Sequence, residues 1–114
     1  MLNLYWKDNN RNIYMLGTLY RNDGKYYFDI NEDGLKKATH HGCFGIGEIN
    51  LLYNNHVSDK LFHFFKRRIP SEDSVNIEEI LEEFNMNEYD EMELLKKTKG
   101  VLQTDRYFLE PSVE

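Results

Sequence analysis

Ile13-Tyr14-Met15-Leu16-Gly17-Thr18-Leu19-Tyr20-Arg21-Asn22-Asp23-Gly24-Lys25-Tyr26-Tyr27-Phe28-Asp29-Ile30 decides the fold of this chain. Ile13 to Tyr20 is apolar apart from Gly17 and Thr18, the pattern of a strand that packs on a core. Asn22-Asp23-Gly24 then reverses the chain, because Asp and Gly tolerate the positive φ of a tight hairpin turn. Lys25 to Ile30 returns with Tyr26, Phe28 and Ile30 on one face. Gly17 leaves three readings open: a bulge, a close backbone approach, or plain tolerance of glycine.

Working outward, Leu2, Leu4 and Trp6 alternate with Asn3, Tyr5 and Lys7, and Asp8-Asn9-Asn10-Arg11 makes the turn into the next strand. Three strands with short connections predict an antiparallel meander. Residues 32–57 are less periodic. Leu35-Lys36-Lys37-Ala38 suits a short helical turn, while Gly42, Gly45 and Gly47 around Cys43, Phe44 and Ile46 favour a loop with special backbone angles. From Ser58 the pattern is helical, with Ser58 as cap, Leu61, Phe62, Phe64 and Phe65 as an apolar stripe, and Lys66-Arg67-Arg68 in the last turn before Pro70. Ile77, Ile80, Leu81 and Phe84 at i, i+3, i+4 and i+7 predict a second helix whose Glu78, Glu79, Glu82 and Glu83 face water. A third begins at Asp90, with Glu93 completing a capping box, Tyr89 and Leu94 placed as a hydrophobic staple, and Gly100 as C-cap. Arg106 to Leu109 reads as a last strand rejoining the N-terminal sheet. The expected fold is therefore α+β in one domain over residues 1 to 114: a small antiparallel β-sheet, the N-terminal meander plus the C-terminal strand, packed with about three helices.

The chain has 114 residues, enough for one core, and 40% hydrophobic with 14% aromatic residues supply the apolar surface to build it. No run approaches the roughly 18 apolar residues of a membrane span. The opening Met1-Leu2-Asn3-Leu4-Tyr5-Trp6 lacks a basic segment and a long apolar stretch, so no signal peptide and a cytoplasmic location are expected. A single cysteine, Cys43, excludes an internal disulfide framework and a zinc site built on several thiolates. The net charge of -6 is uneven: residues 1–70 carry ten Lys/Arg against seven Asp/Glu, a balance of +3, and residues 71–114 carry four against thirteen, a balance of -9. The overall sign disfavours nucleic-acid binding through the whole chain.

The chemical candidates are few. His40, His41 and Cys43, with His56 and His63 further off, come nearest to a metal cluster, but adjacent histidines point to different sides of a regular element. Cys43 has no neighbouring base in an oriented pair. Gly45-Ile46-Gly47 lacks the third glycine, or the Gly-Lys-Ser/Thr ending, of a phosphate loop. The C-terminal carboxylates sit where a helix exposes them, whereas a general acid needs burial. No kinase nucleotide loop with its strand lysine and catalytic loop is present, so no enzyme and no cofactor are expected. Lys66-Arg67-Arg68 beside Phe64 and Phe65 is open to three readings: a helix end, a contact for an acidic protein, or a small nucleic-acid contact.

Leu61-Phe62-His63-Phe64-Phe65-Lys66-Arg67-Arg68-Ile69-Pro70 resembles a segment of the N-terminal subdomain of HipA-type kinase toxins, typically F-x-F-F-x-x-x-[LI]-P. Gly17-Thr18-Leu19-Tyr20 resembles that family's V-G-x-L strand, Tyr26-Tyr27-Phe28 its F-x-Y strand, and Tyr89 to Leu95 its F-D-L-L helix. Tyr107-Phe108-Leu109-Glu110-Pro111 is similar to the strand that closes the subdomain, so the resemblance spans nearly the whole chain. The Gly42–Asn50 loop departs from the family's L-S-x-S-L-P stretch, which faces the kinase body in the fused proteins. The resemblance implies a subdomain without the kinase body, similar to the HipS component of bacterial HipBST toxin-antitoxin systems. It implies a non-catalytic antitoxin that restrains a HipA/HipT-like serine/threonine kinase by protein contact, beside a HipB-like helix-turn-helix protein. The matched Phe64, Phe65, Ile69 and Pro70 are expected to pack inside, and exposed neighbours to meet the partner: Phe44, Ile46, Tyr53, Arg67 and Arg68. The -9 segment leaves an alternative, an acidic inhibitor of a nucleic-acid-binding protein or enzyme.

Overall fold

The computed structural model describes residues 1–112. Asp23 and Gly24 both adopt positive φ, 53° and 76°, and join β2 (Ile13–Asn22) to β3 (Lys25–Ile30) as the hairpin read from the sequence. β1 (Leu2–Lys7) pairs antiparallel with β2, and β5 (Tyr107–Pro111) returns to pair antiparallel with β1. A fifth strand, β4 (Asn55–Ser58), adds to the free side of β3, so the sheet order is β4-β3-β2-β1-β5.

The alternation read in the strands is the alternation of the sheet. Leu2, Leu19 and Phe28 lie side by side on the inner face, as do Leu109, Leu4, Gly17 and Ile30. Against that face pack the helices α1 (Glu32–His40), α2 (His63–Lys66) and α4 (Glu91–Thr98), through Leu35 and Ala38, Phe64 and Phe65, and Leu94 and Leu95. The outer face carries two stacked aromatic pairs, Tyr5 with Phe108 at 5.3 Å between ring centroids and Tyr20 with Tyr27 at 5.1 Å.

Gly17 combines two of its three readings. The register shifts after Leu4, whose partner is Gly17 while Tyr5 faces Met15, which leaves Leu16 as a bulge. A Cβ on Gly17 would also lie 2.5 Å from the Phe28 ring and 2.6 Å from the Asp29 carbonyl oxygen.

Three expectations need correction. Ser58 ends β4 rather than capping a helix; its Oγ accepts the Lys60 N–H, and α2 is a single turn beginning at His63. The short turn at Leu35 is a nine-residue helix, α1, capped by the Asn31 side chain on the Gly34 N–H. α3 (Ile77–Glu83) has the amphipathic pattern expected, but Ile77, Ile80, Leu81 and Phe84 are only half-buried, and no residue from Ser71 to Asp90 is fully buried. α4 follows the sequence closely. The Asp90 carboxylate accepts the Glu93 N–H at 3.1 Å, and the helix stops at left-handed Lys99 and Gly100. Among the described residues no helix is long and apolar enough to cross a membrane.

Candidate partner-binding surface

The segment that joins α1 to β4 is built on the Leu61–Pro70 motif. Gly47, at φ 53°, lies so close to Phe64 that a Cβ would meet the ring at 2.8 Å, and the Glu48 carboxylate accepts the Phe64 N–H at 3.2 Å. Farther along the fold, the Tyr107 hydroxyl donates to the Gly45 carbonyl at 2.5 Å. These contacts tie residues 43–49 to α2 and β5 and bury Cys43, Ile46 and Ile49. What remains outside is apolar: Phe44 is fully exposed, Leu52 is 87% exposed, Tyr53 64% and Leu51 39%. Isolated exposed apolar residues are ordinary, but four large ones within one twelve-residue segment (43–54) make this loop the candidate region for protein contact.

Of the five residues expected at a partner surface, Phe44, Tyr53 and Arg67 are exposed. Ile46 and Arg68 are not. Ile46 is 1% exposed, because closure of the Gly45–Gly47 turn over Phe64 directs its side chain inward. Arg68 is 4% exposed and forks onto Asp105, with Nη2 to Oδ2 at 2.6 Å and Nη1 to Oδ1 at 3.2 Å. A further bond runs from Nη1 to the Gly100 carbonyl at 2.9 Å. Its guanidinium also lies over the Phe64 ring at 4.3 Å and the Tyr107 ring at 5.2 Å. Arg68 is thus a strut of the core. Lys66 is paired with Glu91 at 3.1 Å, so of the basic triplet Arg67, which lies over the Phe64 ring at 5.8 Å, is the cation without an ion pair among the described residues.

The histidine and cysteine candidates are dispersed. His40 is exposed, His41 stacks on Tyr14 at 5.4 Å and stands 4.0 Å from Asp8, and Cys43 faces the Gly45 carbonyl and the Tyr107 hydroxyl. Burial, with the neighbouring Cys43 next, pushes the Tyr107 hydroxyl well above its ordinary range, which keeps it a hydrogen-bond donor to Gly45. Among the described residues no three His, Cys, Asp or Glu side chains are grouped to hold a metal ion.

Sequence reading missed two features of this surface. One is Leu51 and Leu52, an apolar pair bracketed by Asn50 and Asn54; leucine in an aperiodic polar stretch was the available signal. The other is an open groove of about 630 Å³ between α1 and this loop, with Ile30, Leu35, Leu51 and Leu52 as apolar lining and Glu32 and Lys36 on the α1 rim. Comparison with known protein families and with curated proteins finds no match to this chain.

Proposed function

We propose that this protein is a non-catalytic regulator, an antitoxin that binds and restrains a HipA/HipT-like serine/threonine kinase, in company with a HipB-like DNA-binding protein. One observation carries the reading. The motif that resembles the kinase-toxin subdomain is the platform on which the Gly42–Asn54 loop rests, and that loop holds Phe44 and Tyr53 out to solvent. In the fused proteins the corresponding loop faces the kinase body, so exposed aromatic side chains here suit a separate kinase. Aromatic anchors give large contact area at low entropic cost, and the exposed Arg67, on the α2 side of the same motif, supplies a cation for specificity. The interaction is expected to rescue growth when protein and kinase are coexpressed and to lower kinase activity in vitro. Phe44→Asp with Tyr53→Asp is expected to abolish both effects without loss of fold, since both side chains are solvent-exposed. Absence of binding and of rescue with the native kinase overturns the reading.

A second reading rests on α3. From Ile69 to Leu95 the chain carries ten Asp and Glu and no Lys, Arg or His. Glu78, Glu79, Glu82 and Glu83 are all exposed. Such a ridge suits an inhibitor that occupies a basic, nucleic-acid-binding surface. Salt-sensitive competition with DNA, lost on changing these four residues to Gln, separates it from the kinase reading.

A further inference from the structure

The groove between α1 and the Leu51–Asn54 loop is self-complementary. Leu52 stands on its edge, 87% exposed, directly beside a hollow with an apolar lining of Ile30, Leu35 and Leu51. One surface therefore carries both a knob and a hole, the requirement of an isologous two-fold contact in which each copy fills the other. The charges on the rim obey the same symmetry. Glu32 and Lys36 are one turn apart on the groove side of α1. Glu32 accepts a hydrogen bond from the Asn54 side chain at 2.5 Å, and among the described residues neither Glu32 nor Lys36 makes an ion pair. Two α1 helices brought together antiparallel, with the two-fold axis between these positions, set each Lys36 against Glu32 of the second copy. A parallel arrangement sets like against like. We propose that this groove is a homodimer interface: Leu52 of each copy enters the groove of the other, and two Lys36–Glu32 pairs fix the antiparallel register. Phe44, Tyr53 and Arg67 do not line the groove, so the proposal does not rest on the kinase reading.

Sedimentation equilibrium between about 10 and about 500 µM, the range where small interfaces associate, tests this. The apparent mass is expected to climb from the monomer value of 13.7 kDa toward twice that value. Leu52→Glu, at an exposed loop position that leaves the fold intact by circular dichroism, is expected to weaken association about tenfold or more. Lys36→Glu alone and Glu32→Lys alone are each expected to stay monomeric, yet a mixture of the two variants is expected to associate, because each then offers the sign the other needs. A constant monomer mass for the unmodified protein overturns the proposal and leaves the groove to a partner of different sequence. So does undiminished association of Leu52→Glu, or a mixture of charge variants that remains monomeric.

Discussion

At the scale of single residues, two buried charged side chains fix connections that the backbone alone leaves loose. Arg68 bonds Asp105 and Gly100 while two aromatic rings enclose its guanidinium, so one side chain joins the end of α2 to the approach of β5. Removing one partner of a buried pair leaves the other uncompensated, and Arg68→Ala is expected to cost about 3 kcal/mol by urea unfolding. Lys in its place keeps the charge but loses the fork and the stacking, and is expected to recover only part. Asp8, 5% exposed, anchors the first turn. Its burial acts to raise its pKa, but the Asn12 N–H, the Tyr14 hydroxyl, the Asn12 side-chain amide and the Asn10 N–H donate to it and hold it below the ordinary 3.8. With a folded pKa below the unfolded one, the unfolded chain binds more protons in acid. The contribution is then complete above 3.8 and is lost as pH falls below it through the folded value. Asp8→Asn is expected to lower Tm at pH 7 and to flatten the acid limb of a Tm-against-pH curve.

At the scale of elements, helix propensity and tertiary contact pull in opposite directions at Gly34. Alanine for glycine inside an exposed helix ordinarily stabilises by about 1 kcal/mol. In α1 a Cβ at residue 34 would lie 1.8 Å from the Met15 carbonyl oxygen, a backbone atom that cannot move aside. Gly34→Ala is therefore expected to destabilise by about 3 kcal/mol, checked by denaturant midpoint. The same contact explains why α1 reads weakly in the sequence: its glycine serves docking on β2 and not the helix. β4 was illegible for a different reason. Asn55-His56-Val57-Ser58 has no apolar alternation, and it is a strand because β3 presents an unpaired edge at that place. The meander, β5 and α4 were legible because their signals are local: alternation, an Asp-Gly turn and a capping carboxylate.

At the scale of the whole molecule, the acidic ridge around α3 is separated from the core. The sheet and α1, α2 and α4 share one buried cluster, whereas the segment around α3 contributes half-buried Phe84, Met86 and Tyr89 to its margin. That segment is held at its end by Asp90 on Arg21, at 2.9 Å, and by Tyr89, whose ring also packs at the core margin and whose hydroxyl donates to the Pro70 carbonyl at 2.7 Å. Its exposed carboxylates repel one another through solvent, and added salt screens that repulsion, the Debye length being about 10 Å at 0.1 M. Raising salt from low to moderate ionic strength is expected to raise Tm, despite weakening the exposed Arg21–Asp90 and Lys66–Glu91 pairs, which contribute little. A fall in Tm over that range would show that the surface pairs outweigh the repulsion. At high pH the sign reverses for tyrosine. Burial first, and the Glu91 charge next, push Tyr89 up to about 12, so its contribution is present below 10.0 and is lost as pH rises from 10.0 through about 12.

The sequence by itself determined the α+β class, the antiparallel meander, the returning C-terminal strand and the acidic exposure of α3, because each follows from periodicity and turn chemistry acting over a few residues. Tertiary structure alone decided which side chains of the candidate surface face outward. Arg68 is buried because Asp105, 37 residues away in sequence, meets it, and Ile46 because Tyr107 and Phe64 close the loop above it. Phe44 and Leu52 stay outside because the core is filled without them. Burial of a loop residue depends on partners that only the folded chain brings near, and no local pattern encodes their distance.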